Sequence, residues 1–223
     1  ELRILERCAQ FLRDPKEQNR KRERVYVTAA AGTGKSALMA ACAGALEGME
    51  EKGWHSILYF AGNPGCQDEQ TFMQVLCYRL EEILGQSHEE RQGSLRERLG
   101  ELNEKIGEKK IICFLDAAEQ LTGEGEDRYL DVLSLCSRMY FVISALPDFP
   151  LAQCITGSGL EFVPVTPEAF PPENIRQMTE ITVRRRGKKL DDVVSRAVQE
   201  KQGSGNPLYL SMLLQRLFMM DGE

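Results

Sequence analysis

Lys35 and Ser36 follow Gly34 in the stretch Arg24 to Leu38, RVYVTAAAGTGKSAL. A lysine and a hydroxyl behind a run of small residues are the side chains that handle phosphate groups. A triphosphate carries about four negative charges near neutral pH, so a chain that wraps it needs residues small enough for successive backbone N–H groups to point inward. Ala30, Ala31, Gly32, Thr33 and Gly34 supply that path, and Ala37 is the next small residue behind the hydroxyl. In this arrangement the Lys35 ammonium lies between the β- and γ-phosphates, while Ser36, at the start of a helix, is placed to ligate Mg²⁺. The helix N-terminus adds a partial positive charge of its own.

The elements needed to hold such a loop flank it. Val25 to Thr28 is β-branched and aromatic and reads as a strand. Ser36 to Met49 is rich in alanine, with Leu38, Cys42, Leu46 and Met49 interspersed, and reads as a helix that packs closely on a sheet. Strand, phosphate loop and helix in this order form a P-loop and predict a site for ATP or GTP. One position departs from the usual G-x-x-x-x-G-K-[ST] spacing, because Ala29 stands at the first glycine. Alanine tolerates ordinary backbone angles, so a nearly normal loop is expected unless that position needs positive φ. The competing reading, a glycine-rich turn that binds nothing, is opposed by the flanking strand and helix.

A second set of residues completes the chemistry. Ile111 to Asp116, IICFLD, is a continuous apolar run ending in an acid, the form of a buried parallel strand that delivers a carboxylate to its C-terminal edge. Asp116 is the candidate to hold Mg²⁺ through its water shell opposite Ser36, and Glu119, three residues on, is the candidate to polarise an attacking water. Two surface acids after a strand are the plainer alternative. Tyr140 to Ser144, YFVIS, is another buried strand, and its terminal hydroxyl either contacts the γ-phosphate or simply ends the strand.

The chain has 223 residues, 42% of them hydrophobic and 28% charged, with a formal net charge of −6. This is the composition of an ordinary globular protein and argues against a dedicated nucleic-acid face. Seven cysteines are scattered without a CxxC pair, which predicts reduced thiols and a cytoplasmic setting rather than a disulfide framework or a zinc site. No apolar run reaches membrane-spanning length and no signal peptide is recognisable, so no membrane partner is expected. The first residue is Glu1, not Met, and the sequence is expected to be a piece of something longer.

Along the chain, Leu2, Leu5, Cys8 and Leu12 place an amphipathic helix over Glu1 to Asp14, followed by a polar link from Pro15 to Lys21. A strand is expected over His55 to Ala61, a turn at Gly62 to Gly65, and helices on the apolar spacings Phe72 to Ile83 and Leu95 to Ile106. His88, in the polar stretch between those helices, and His55 are read as solvated. Tyr129, Val132, Leu133 and Cys136 mark another helix, and Glu161 to Val165 a fifth short strand. From Pro167 onward no strand pattern remains. Helices are expected from Pro171-Pro172, over Leu190 to Gln202, and over Leu208 to Met220 after a break at Gly203 to Pro207. The last is apolar almost all round, predicting burial on several sides against a part of the parent protein outside this sequence.

These residues, in order, resemble a family. Ala29 to Ser36 with Leu38, LDAAEQL from Leu115 to Leu121, VISALP from Val142 to Pro147 and GNPLYL from Gly205 to Leu210 look like the signalling NTPases called STAND. They are most similar to the NACHT-type branch found in nephrocystin, telomerase-associated WD-repeat proteins and bacterial multidomain proteins. The P-loop says little about family. The Asp-small-x-acid arrangement at Asp116, Ala117 and Glu119, with the late Gly-x-Pro at Gly205 and Pro207, narrows it, although Glu119 stands where the family often has Asp. The resemblance implies an ASCE or AAA-like P-loop NTPase core over residues 1–166, a parallel sheet flanked by helices, and a helical lid subdomain over 167–223. Winged-helix and further domains are expected beyond it. It also gives Pro207 a contact with the nucleotide near its base, where the residues alone favour a plain helix-breaking turn.

The implied function is an ADP/ATP-controlled switch for self-association or for effector and repeat domains of the parent protein, with slow hydrolysis. ATP over GTP rests on the resemblance, since no Asn-Lys-x-Asp base-reading motif is present. Two alternatives stay open. A small-molecule kinase would use Arg184, Arg185 and Arg186 with Lys188 and Lys189 as a lid, a cluster that also simply complements a helix C-terminus. A scaffold would bind nucleotide without turnover. A nucleic-acid motor is not expected, for want of a basic stripe with interleaved aromatics.

Overall fold

The computed structural model describes residues 22–47, 53–87, 93–122, 132–151, 160–189 and 191–220. The chain divides into two compact units, Glu1–Thr28 with Lys35–Val165, and Ala29–Gly34 with Thr166–Glu223. The loop segment Ala29–Gly34 thus groups with the C-terminal helices, whereas the sequence places it within the 1–166 core.

The first unit is built on five strands: β1 (Arg22–Thr28), β2 (Trp54–Phe60), β3 (Lys110–Asp116), β4 (Tyr140–Ala145) and β5 (Leu160–Val165). They lie in the order β2-β3-β4-β1-β5 and every pairing is parallel. The continuous apolar runs of β3 and β4 follow from this, because a central parallel strand is covered on both faces. Their alternate residues feed two cores. Ile112, Phe114, Tyr140 and Val142 pack with Val25 and Val27 under Met39, Cys42 and Leu46 of the helix α1 (Lys35–Gly44) and the turn after it. Cys113, Leu115, Phe141 and Ile143 share the other core with Phe72, Leu76, Leu80, Leu99 and Leu102. Those last five come from α2 (Glu69–Leu84) and α3 (Leu95–Glu104). Pro164 sits on β5, which pairs only with β1, and an edge strand is where a missing N–H is tolerated.

Local signals set the helix ends. Asp68 caps α2 by accepting from the Thr71 N–H at 2.7 Å, and Gly85 closes it in the left-handed region with φ 65°. Ser94 and Glu97 form a reciprocal capping box at the start of α3. The two helices are joined by Arg98, whose Nε donates to Glu81 Oε1 at 2.8 Å, with Nη2 as a second donor. The α4 helix is only Val132–Leu135, and Tyr129 of the expected longer helix lies outside the described residues. So do the expected N-terminal helix, its polar link and His88. His55 lies on β2, half-buried, rather than in a solvated position, because the strand starts at Trp54. Helix α1 ends at Gly44 and not at Met49, passing into a turn in which the Glu47 N–H donates to the Gly44 carbonyl.

The second unit carries α5 (Pro172–Arg185), α6 (Asp192–Glu200) and α7 (Pro207–Met220). Their core is Ile175, Val183, Val198, Leu210, Leu214 and Phe218. Burial of α7 is one-sided among the described residues: Leu210, Leu214 and Phe218 are inside, while Leu208, Met212 and Met219 are exposed. The exposed side is the one for which cover from outside this sequence is expected. Arg184 and Arg185 occupy the last turn of α5, where cations complement the helix dipole, and Lys188 Nζ donates to the Phe218 carbonyl at 3.4 Å.

Free thiols are found at Cys42, Cys66, Cys77, Cys113 and Cys136. Burial pushes the Cys77 thiol up to about 11 and raises Cys113 and Cys136 further, which makes them core hydrophobes rather than nucleophiles. No helix among the described residues is long and apolar enough to cross a membrane.

The Glu81 side chain is 2% exposed and that of Arg98 26%. Removing the guanidinium strands a buried carboxylate, so Arg98→Ala is expected to cost about 3 kcal/mol, or roughly 6–12 °C in Tm. The double variant Glu81→Gln/Arg98→Met should recover more than half of that loss in a thermal melt.

Candidate functional site

A parallel sheet brings all its strand ends to one edge, and three of the expected groups stand there. β3 ends in Asp116, 4% exposed, and the neighbouring β4 carries the fully buried Ser144. The Ser144 hydroxyl donates to Asp116 Oδ1 in a short hydrogen bond and accepts from the Ala117 N–H at 3.0 Å. Both of its capacities are used within the protein, and it holds the acid and the following peptide together.

Ala117 has φ 57°, the one non-glycine residue with positive φ among the described residues. An L-residue pays about 1–2 kcal/mol for that conformation, so something must hold it, and the bond to Ser144 is the visible restraint. The bend carries the chain into a short 3₁₀ turn, Ala118–Gln120, with Ala118 buried. Glu119 sits in this turn with its Oε2 buried and without a hydrogen-bond partner among the described residues. Thr28 Oγ1, at the end of β1, is likewise buried and without one. Orphaned buried oxygens are costly and point to a group that completes them, such as water or a cation's hydration shell for either oxygen, or a phosphate for the Thr28 hydroxyl.

In the second unit, the segment Ala29–Gly34 has its positive φ at Gly32 (77°) and Gly34 (90°). Ala29 does not need it, which explains how alanine is accepted at the first glycine position. The Thr33 hydroxyl donates to the Ala30 carbonyl at 2.9 Å and closes the loop on itself. On the far side of Gly34, α1 starts at Lys35, half-buried, with Ser36 and Ala37 exposed in its first turn.

The start of α7 is seated on this loop. The Leu208 N–H donates to the Gly32 carbonyl at 3.2 Å and Asn206 Nδ2 to the Ala31 carbonyl at 3.5 Å. Pro207 Cγ would lie 3.5 Å from a Cβ placed on Gly34, and Leu208 Cβ 2.8 Å from one placed on Gly32. Gly205-Asn206-Pro207 is therefore more than a helix-breaking turn: it brings Pro207 beside the segment Ala29–Gly34. Sequence reasoning missed Leu208 and Asn206, the latter reaching its loop partner across 175 residues of chain. It also missed Thr28 and the left-handed Ala117.

No group of three His, Cys, Asp or Glu able to hold a metal is found among the described residues. Mg²⁺ asks for less, one or two protein oxygens plus waters and substrate phosphates, which Ser36 and Asp116 match.

No protein-family model matches the chain, and no curated protein matches it in sequence. Solved structures match in fold. The Walker-type ATPase PABY2304 of Pyrococcus abyssi has a TM-score of 0.55 at 15% identity, over 94% of this chain and 68% of that one. Domain III of the replication initiation protein DnaA from Thermotoga maritima gives 0.51 at 14%, over 97% and 82%. The ORC2 protein of Aeropyrum pernix, in ADPNP and ADP complexes, gives 0.51 at 14%, over 92% and 59%, so this chain spans less than two thirds of that protein.

The Gly32 contact can be tested against a position with the same backbone but open space. Gly187 has φ 65° and nothing within 4 Å of an added Cβ. Gly187→Ala should cost about 1–2 kcal/mol from the backbone alone. Gly32→Ala should cost at least about 1 kcal/mol more, because Leu208 must move. Urea denaturation of both variants measures the difference. The strand order, the loop after β1 and the acid at the end of β3 make this chain a P-loop ATPase fold of the ASCE type.

Proposed function

We propose that the chain is an ATP-binding NTPase module of the STAND class, NACHT-type, acting as an ADP/ATP-controlled switch in a larger protein. The observation that carries this reading is the seat of α7 on Ala29–Gly34, which makes the loop that would wrap the phosphates also the partner of a helical subdomain. Bound nucleotide would supply the phosphoryl bond to be hydrolysed and the charge that the loop, Lys35 and Mg²⁺ neutralise. In this assignment Ala30 to Gly34 offer backbone N–H groups, Ser36 and Asp116 hold the cation and its waters, and Glu119 orients water. Ser144 fixes Asp116, and its contact with a γ-phosphate would require it to exchange a bond it already makes. Pro207 borders the bound nucleotide. The left-handed Ala117 and the engaged Ser144 favour slow hydrolysis, because the acid is restrained rather than free to respond.

Solved structures of the same fold support nucleotide as the ligand, since Aeropyrum pernix ORC2 is seen with ADPNP and ADP. The Aeropyrum pernix ORC1 protein, also of this fold, is seen in complex with DNA, a partner the sequence does not lead one to expect here. With a net charge of −6, we propose self-association and attached effector or repeat domains as the partners instead.

The test is a thermal melt of nucleotide-stripped protein with and without Mg-ATP. At a hundred times Kd, linkage adds about 2.7 kcal/mol, which for this size raises Tm by about 5–11 °C. The rise should vanish in Lys35→Ala. A rise that survives this substitution, or none at all, sinks the proposal. Amide exchange at Leu208 to Leu210 should then differ between the ADP and ATP forms, and equal protection would leave a nucleotide-binding scaffold. Phosphoryl transfer to an added small acceptor would instead make it a kinase.

A further inference from the structure

Helix α7 has a second side that the helical core uses only in part, through the half-buried Leu213 and Leu217. Leu210, Leu214 and Phe218 face inward, whereas Met212 is 61% and Met219 77% exposed. Between these residues runs a groove of about 460 Å³ lined by Tyr209, Met212, Leu213, Arg216 and Leu217, with Lys201 from the end of α6 on its rim. All belong to the second unit. Tyr209, Met212, Leu213 and Arg216 fall at steps of three, four and seven, so the stripe runs along the helix axis. A helix of this length spans about 21 Å, room for roughly four turns of a partner helix laid alongside.

The chemistry of the lining restricts the partner. Large apolar side chains on an exposed helix face lose hydration when covered, and unbranched Met adapts to differing surfaces. Among the described residues no acidic one lines the groove, while Lys201 and Arg216, both exposed, do. Two copies of this face meeting about a two-fold axis would set these cations against one another, which disfavours self-pairing.

We propose that this groove docks an amphipathic helix with apolar anchors at i, i+3, i+4 and i+7, flanked by Asp or Glu that meet Lys201 and Arg216. This surface is independent of the nucleotide assignment, since none of its residues handles phosphate.

A displayed library of helical peptides with those four anchors fixed as leucine and the flanking positions randomised provides the probe, selected against the full chain. Enriched peptides should be acidic at the flanks, and a synthetic one should bind, by fluorescence anisotropy, about tenfold more weakly to Met212→Asp. The charge reversal Lys201→Glu/Arg216→Glu should shift the selection towards basic flanks, and it keeps the test decisive where Met212→Asp lowers Tm. No enrichment, enrichment without acidic bias, or binding indifferent to these substitutions overturns the proposal. So does sedimentation showing that the protein self-associates through this face and that Met212→Asp separates the copies.

Discussion

The hydrogen bond from Ser144 to Asp116 is the restraint on which the C-terminal edge of the sheet depends. It joins two adjacent strands at their ends, where the sheet ladder stops: Leu115 is the last residue of β3 opposite β4. Beyond that register the backbone has no sheet partner from β4; β2 still holds the Asp116 peptide, whose carbonyl accepts from the Ala61 N–H at 3.0 Å, but it leaves the direction of the carboxylate to the side chain. A fully buried hydroxyl that gives its proton to the carboxylate and receives the next N–H removes that freedom at both atoms. The positive φ of Ala117 costs about 1–2 kcal/mol, and a hydrogen bond returns about 0.5–1.5 kcal/mol, so one bond nearly offsets the strain.

The bend at Ala117 in turn directs the chain beyond it. The 3₁₀ turn buries Ala118 and fixes where Glu119 emerges. Extended backbone at Ala117 would carry Glu119 elsewhere. The orphaned oxygens of Glu119 and Thr28 therefore belong to a shaped edge rather than to accidental burial. Register contributes too, since β1 is paired on both sides, and a one-residue slip would turn Val25 and Val27 out of their core. The C-terminal end of β1 is thereby fixed in register.

Most of this architecture was legible in the sequence because its signals are local. The apolar runs of β3 and β4, the small residues before Lys35, the capping pairs at Asp68 and Ser94 and the proline at the start of α5 each act over a few residues. The features that were not legible depend on distant partners. Alanine carries no preference for the left-handed region, so Ala117 becomes bent only because Ser144, 27 residues away, accepts its N–H. The hydroxyl of Ser144 could be expected at a strand end, but its occupation by Asp116 required the register of β3 against β4. Which side of α7 the helical core covers was not legible for a related reason: an all-round apolar sequence states that cover is favourable and not which face receives it.

The N-terminus of α7 shows how the loop and the helix come to need each other. A helix leaves its first N–H groups without intrahelical partners, and each must be satisfied elsewhere. Here the Asn206 N–H donates to the Gly203 carbonyl, Pro207 has none to give, and the Tyr209 N–H is taken by Asn206 Oδ1 at 3.1 Å. Leu210 begins the regular pattern by donating to the Asn206 carbonyl. Leu208 is the one donor of this turn without a local solution, and the Gly32 carbonyl supplies it. Turning that peptide away would exchange this bond for one to water, a net change of about 0.5–1.5 kcal/mol, or roughly two- to twelvefold in an equilibrium. That is the scale of coupling between loop conformation and helix position that this single bond can carry. Only glycine leaves room for this approach, since a Cβ at position 32 would stand 2.8 Å from Leu208 Cβ.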